Sequence, residues 1–236
     1  MTIVITAVIV GTGFLALYWI FHGQRKYNDM FIPKRKTELK AVLFDMDGVI
    51  IDSFEAWFSV FNQIRKDLKL KEIGRDEFKS KVWGGSVSRD AENYFKNADV
   101  KEIEKTYQKL ITQNVEATKL MDDAEKVLKE IRKKNIKIGL VTNTFREPAM
   151  AALNHHKIYN YFDAIVTADD SEKLKPYPDP VIKLCQKLAV MPDETILVGD
   201  TKNDYKAGKG AGCTVVGLNM HGDLMISGLK DLLELI

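Results

Sequence analysis

Asp45 and Asp47 stand two residues apart, directly after the apolar run Ala41-Val42-Leu43-Phe44 and just before Gly48. Residues i and i+2 of a strand point to the same side, so both carboxyl groups can face one small space. Ionised carboxylates that close need a cation between them or a shifted pKa. Mg2+ takes such oxygen ligands while keeping part of its water shell. The chemistry within reach is a metal-assisted carboxylate nucleophile beside an acid/base. An ordinary Asp-Gly turn would use the same residue types, so the pair gains meaning only from what else the chain carries.

Three further segments complete it. Leu140-Val141-Thr142-Asn143-Thr144 ends a second apolar strand in hydroxyls and an amide. Lys175-Pro176-Tyr177-Pro178-Asp179-Pro180 brings a cation in a stiff segment ahead of a helical stretch. Ile196-Leu197-Val198-Gly199-Asp200-Thr201-Lys202-Asn203-Asp204 ends a third strand in two more carboxylates. Open α/β sheets bind ligands beyond the carboxyl ends of their strands, where most of these residues fall.

In this order the segments resemble the haloacid dehalogenase superfamily of phosphotransferases. More narrowly, they resemble its phosphoglycolate phosphatase and β-phosphoglucomutase branch, with a helical cap inserted after the first motif. Phe44-Asp45-Met46-Asp47-Gly48-Val49-Ile50-Ile51-Asp52-Ser53 is similar to that branch's Asp-x-Asp-Gly-(Val/Thr)-(Leu/Ile)-x-Asp-(Ser/Thr). The resemblance covers Lys40 to the C-terminus. It implies Asp45 as nucleophile, forming an aspartyl-phosphate that splits one hard step into two. It implies Asp47 as general acid for the leaving oxygen and then base for the hydrolytic water. Thr142 and Asn143 are expected to hold the transferring phosphoryl, and Lys175 to balance its charge and that of Asp45. Lys173 competes for that last role, but the Pro-x-Pro string after Lys175 favours the latter. The expected metal set is Asp45, Asp200 and the Asp47 backbone carbonyl around Mg2+. Asp204 supports it through water or by orienting Lys175, or else serves only as a helix N-terminal acid. Arg89, after Trp83-Gly84-Gly85-Ser86, is the expected contact to a substrate carboxylate or second phosphate; a solvated Arg on a connecting turn is an equal alternative.

The 236 residues carry 35 basic and 33 acidic side chains, a formal net charge of +2, which excludes bulk nucleic-acid binding. Cys185 and Cys213 lack metal-ligand spacing and read as reduced, packed thiols. From Ile3 to Phe21 no residue is charged, a run of about 28 Å as a helix, close to a bilayer's hydrocarbon thickness. Basic residues follow it rather than precede it, which predicts an uncleaved single-pass anchor with a cytoplasmic catalytic domain. A start at Met30 would instead leave the anchor out.

The elements that must position the chemistry follow from periodicity. Residues 1–22 are expected to be the transmembrane anchor and 23–39 a basic juxtamembrane linker. Residues 40–53 and 121–236 form an α/β core, a doubly wound, Rossmann-like parallel sheet, because short apolar strands alternate with helical patterns. Residues 54–120 form the helical cap, where Phe54, Trp57, Phe58, Phe61, Ile64 and Leu68 recur at spacings of three and four; no strand is expected within it. The expected partners are a small phosphorylated substrate and, through the anchor, a membrane. Hydrolysis is favoured, with phosphoglycolate the first guess by resemblance alone. A phosphosugar mutase is the runner-up, although that branch generally carries Glu-Asp where this chain has Gly199-Asp200. A membrane-tethered binding protein of the same fold is the third reading.

Overall fold

Ala41–Phe44 (β1) is buried at every position, as a strand covered on both faces of a parallel sheet must be. It is the third strand of a computed structural model that describes residues 37–95 and 98–236. The chain then makes a loop and a two-residue strand, Ile51–Asp52 (β2). Helices Phe54–Asp67 (α1), Val87–Tyr94 (α2) and Val100–Gln113 (α3) follow, with a π-helical turn at Phe78–Val82 between the first two. A second short strand, Lys119–Leu120 (β3), leads back toward the sheet.

From there strands and helices alternate as the sequence predicts. Ala124–Lys133 (α4), Lys137–Val141 (β4), Arg146–His155 (α5), Ala164–Val166 (β5) and Asp179–Leu188 (α6) come first. Thr195–Gly199 (β6), Lys202–Ala211 (α7), Thr214–Leu218 (β7) and Leu224–Ile226 (β8) complete the sheet. The order is β5-β4-β1-β6-β7-β8, and every neighbouring pair is parallel. β1 therefore lies between β4 and β6, with Phe44 opposite Leu140 on one side and Val198 on the other. Three strands end level, and their carboxyl ends deliver Asp45, Thr142 and Asp200 to one place.

The two faces of the sheet alternate by side chain. Val42, Phe44, Ile138 and Leu140 pack with Val127, Leu128 and Ile131 of α4 and Leu153 of α5. Ala41, Leu43 and Leu197 pack with Val181, Leu184 and Leu188 of α6. Cys185 and Cys213 are buried free thiols in this second cluster, as expected.

The helices after β2 build a third cluster, centred on Phe61, Phe78, Phe95 and Tyr107. Phe61 meets Phe78 and Phe95 with ring centroids 5.3 and 5.1 Å apart; such pairs add about 0.5–1.5 kcal/mol each beyond their buried area. One expectation fails here. The segment does contain a strand: β3 pairs antiparallel with β2, Ile51 opposite Leu120 and Asp52 opposite Lys119. Two residues per strand leave no periodic trace in the sequence.

The anchor expected over residues 1–22 and nearly all of the linker lie outside the described residues. Among the described residues, no helix is long and apolar enough to cross a membrane.

Candidate active site

Asp45 is the first residue beyond β1, and its backbone N–H donates to the Val198 carbonyl at 3.0 Å, tying it to the end of β6. Its Oδ1 accepts from the Met46 N–H at 2.7 Å and from Lys175 Nζ at 2.7 Å. Burial pushes the Asp45 carboxyl well above the carboxylate range, Asp204 adds to this, and Lys175 opposes it. The turn that follows is tight. Gly48 has φ +81°, and a Cβ there would come within 2.2 Å of Asp200 Oδ2, so side chain and backbone conformation both exclude other residues.

The Asp47 carboxylate receives donors from both sides. Ser53 Oγ (2.5 Å) and Trp57 Nε1 (3.0 Å) donate to Oδ1, while Thr144 Oγ1 (2.7 Å) and, more weakly, Thr142 Oγ1 (3.4 Å) donate to Oδ2. Thr142 also accepts the Thr144 N–H at 3.0 Å. The loop after β4 thus spends its first hydroxyl on its own geometry and its second on Asp47. Thr144 was not singled out from the sequence, although it lies two residues from a hydroxyl that was. Ser53 stood in the quoted motif without a role, and Trp57 was read as packing alone.

Lys175 is buried. Its Nζ contacts Asp45 Oδ1 at 2.7 Å, Asp204 Oδ1 at 2.6 Å and the Val141 carbonyl at 3.1 Å. Burial alone would lower its pKa; Asp204 and Asp45 outweigh that and raise it, so the ammonium is permanent. Lys173 instead lies exposed over the Tyr177 ring, 5.6 Å from its centroid. Asn143 differs from expectation in what its side chain does. Its Nδ2 donates to the Lys175 carbonyl and its Oδ1 accepts the Lys175 N–H, both at 2.9 Å. The amide holds the lysine loop by two backbone bonds, and its second Nδ2 hydrogen remains available at the cavity that Asn143 lines.

Asp200 and Asp204 divide in the same way. Asp204 is the third residue of α7, and its Oδ2 closes a capping box with the Thr201 N–H (3.0 Å) and hydroxyl (2.5 Å). Its Oδ1 holds Lys175. Both oxygens are engaged, one in the capping box and one on Lys175, which fits the orienting role weighed for it. Asp200 is the opposite case. Oδ2 accepts Trp83 Nε1 at 3.2 Å, and Oδ1 is buried with no partner among the described residues. Burial, followed by Asp204, raises its pKa to about 7.

A buried carboxylate oxygen without a donor costs about 1–3 kcal/mol, and a cation would remove that cost. Asp45, Asp200 and Asp204 each offer an oxygen within 4.8 Å of the others. The donor set is all oxygen, which suits Mg2+ and not a soft metal. The residues present therefore fit the expected ion.

Arg89 is not brought to this cluster. Its guanidinium pairs with the neighbouring Asp90 at 2.8 Å and donates to the Val82 and Lys81 carbonyls. These partners come from its own helix and the turn before it, so the arginine braces the helical layer instead of reaching the cavity. That cavity, about 60 Å³, is walled by Asp45, Asp47, Asn143 and Lys175 below and by Trp57, Trp83, Gly84, Asp90 and Tyr107 above. The upper wall is fastened to the lower by Trp57 to Asp47, Trp83 to Asp200, and Asn203 Nδ2 to the Gly84 carbonyl at 2.7 Å.

Residues 42–218 match the family model described as haloacid dehalogenase-like hydrolase. The chain is 31% identical to the pyrophosphatase PpaX of Halalkalibacterium halodurans over 216 residues and to a phosphoglycolate phosphatase of Aquifex aeolicus over 208. In both, 84% of this chain matches 97% of the relative. CbbY from Rhodobacter sphaeroides, solved with phosphate, superposes with a TM-score of 0.74 at 18% identity, covering 82% of this chain and 96% of that one. The expected placement, single-pass in a membrane with the catalytic domain in the cytoplasm, is corrected by two findings. No helix among the described residues is long and apolar enough to span a bilayer, and relatives matched over 97% of their length have no room outside the match for a span of ~20 residues. The fold, the ordered motifs and these matches agree: the chain belongs to the haloacid dehalogenase-like hydrolases, in their phosphoglycolate phosphatase and β-phosphoglucomutase-like branch, and is a phosphoric monoester hydrolase.

Proposed function

We propose that the protein is a Mg2+-dependent phosphatase that hydrolyses a small phosphorylated metabolite through an aspartyl-phosphate on Asp45. The observation that carries this reading is the contrast between two carboxylates at one cavity. Asp45 is held by a permanent cation on Oδ1 alone, while Asp47 is ringed by four donors. No hydrogen bond is found on Asp45 Oδ2 among the described residues, which leaves that oxygen free to attack phosphorus. Asp47 is positioned to hand a proton to the leaving oxygen and take one from water. Lys175 balances the charge gathered on Asp45 and the phosphoryl group, and Asp204 and Asn143 hold Lys175 in place. Asp45 and Asp200 would hold Mg2+, with the Asp47 carbonyl. The ion supplies charge neutralisation of the phosphoryl oxygens.

Gly199 supports hydrolysis over the mutase alternative. A Cβ at that position would fall 2.2 Å from Asp204 Cβ, so the Glu of the mutase pattern has no room beside this capping box. The test is phosphate release with Mg2+ or EDTA over a panel of phosphoglycolate, pyrophosphate, sugar phosphates and nucleotides, with Asp45→Asn alongside. Release that needs Mg2+ and disappears in the variant is the expected result. Release that persists in Asp45→Asn would refute the aspartyl-phosphate route.

A further inference from the structure

The roof of the cavity carries two polar groups that the phosphatase chemistry does not use. Asp90, on α2, is 7% exposed, and Tyr107, on α3, is 2% exposed; both line the cavity that holds Asp45 and Asp47. The two Arg89 bonds to Asp90, from Nε at 3.2 Å and Nη2 at 2.8 Å, both fall on Oδ1. Among the described residues no hydrogen bond is found on Asp90 Oδ2 or on the Tyr107 hydroxyl. Buried polar groups are normally paired, and neither group is shut off from the cavity as Asp200 Oδ1 is. A ligand is the partner that would satisfy them.

Their placement sets which part of a ligand they would meet. Trp57 spans floor and roof: its indole N–H donates to Asp47, and its ring lies 5.7 Å from that of Tyr107. Asp47 addresses the leaving oxygen, so Tyr107 and Asp90 lie beyond it, on the leaving-group side. Resting on the phosphatase reading above, we infer that Asp90 and Tyr107 form a leaving-group subsite that selects an uncharged, hydroxyl-bearing alcohol, a small polyol, over an anionic leaving group.

Charge decides between those classes. Lys175 is the one cation among the described residues lining the cavity, and Asp45 and Asp204 already neutralise it. Among the described residues Arg89 is the one cation paired with Asp90, and it is spent on Oδ1. Burial lifts the Asp90 carboxyl to about 6 against the pull of Arg89, so it is mostly ionised at neutral pH. A carboxylate or phosphate on the leaving group would face that charge in a site with little water, where like charges repel strongly. A hydroxyl would donate to Asp90 Oδ2 and accept from Tyr107. A site built to bond a hydroxyl rejects a substrate that lacks one, because its own polar groups are then left unpaired.

The experiment compares kcat/KM of the full chain with Mg2+ for glycerol phosphate, phosphoglycolate, pyrophosphate and p-nitrophenyl phosphate, in wild type, Asp90→Asn and Tyr107→Phe. Wild type is expected to favour glycerol phosphate over phosphoglycolate by about tenfold or more. Asp90→Asn shrinks that ratio about tenfold by improving phosphoglycolate, and Tyr107→Phe raises KM for glycerol phosphate with kcat nearly kept. A wild-type preference for phosphoglycolate or pyrophosphate overturns the subsite, as does an equal loss on both substrates in Asp90→Asn. Turnover of p-nitrophenyl phosphate alone overturns it while leaving the phosphatase intact. Release from no substrate removes the phosphatase reading and the subsite together. Should Asp90→Asn fail to fold, the wild-type ratio and Tyr107→Phe decide the question.

Discussion

The floor and the roof of the cavity are built on opposite economies. The floor gathers Asp45, Asp47, Asp200, Asp204 and Lys175 at the ends of β1, β4 and β6, five ionisable groups that folding alone would not bring together. Its strain is visible: raised pKa values on Asp45 and Asp200 and an Asp200 oxygen with no partner among the described residues. The roof is mostly aromatic rings packed on one another, with the Phe61 and Phe78 side chains buried. The floor accepts instability in exchange for chemistry; the roof supplies apolar burial and turns only a few polar atoms downward. Activity and stability should therefore separate by region.

That separation can be broken in four places, taken from the largest effect down. Asp45→Asn should lower turnover at least ~10⁴-fold while leaving the unfolding midpoint without metal unchanged or higher; phosphate release and urea unfolding check both halves. Phe61→Ala should do the reverse. It should cost about 3–5 kcal/mol in unfolding free energy from the emptied aromatic cluster, with kcat of the folded fraction within about threefold of wild type. A loss of kcat as large as the loss of stability would show that roof packing sets floor geometry.

Asp200→Asn should cost about 10²–10³ in Mg2+-dependent turnover and abolish the rise in Tm on adding Mg2+. In EDTA the same variant should match or exceed wild type in Tm, since it removes a buried, underpaired carboxylate. A retained Mg2+ shift would move metal ligation away from Asp200.

The smallest effect concerns the roof's own charge. Burial raises the folded pKa of Asp90 to about 6, above an ordinary carboxyl. The folded state binds the proton more tightly than the unfolded one, so this group's contribution is full below about pH 4 and is lost as pH rises through 6. The stability of Asp90→Asn relative to wild type should climb by about 1–3 kcal/mol between pH 4 and 7.5 and then level off. A flat difference would mean Asp90 is as well solvated folded as unfolded.

The two regions also differed in how far the amino-acid sequence disclosed them. β1, β4, β6 and β7 were legible because unbroken apolar runs of four or five residues end in polar ones, a pattern that a two-sided parallel sheet demands. Asp45, Asp47 and Asp200 were placed from it because strand ends converge by topology, while Lys175 was picked out by the proline string after it and by the resemblance. The three-residue β5 was legible as well, from its place between two helical stretches, whereas β8, which follows β7 with no helix between, and the two-residue ribbon strands β2 and β3 were missed. Side-chain partners were the harder matter. Asn143 turns to a backbone 32 residues away, and Trp83 meets a carboxylate 117 residues away; neither distance leaves a mark near the residue itself. Arg89 was left between a substrate contact and a connecting-turn arginine, and the partner it takes is its immediate neighbour Asp90. Asp204 was weighed as helix cap and as support for the lysine, and its two oxygens do both.

The ribbon bears on how such a molecule can change over generations. The chain leaves the sheet region through Ile51–Asp52 and returns through Lys119–Leu120, side by side. Entry and exit share one doorway, so the length and shape of what lies between them are decoupled from the register of the six parallel strands. Residues can be gained, lost or exchanged there without rethreading the sheet. Selection can thus retool what the protein recognises while its reactive carboxylates stay where they are.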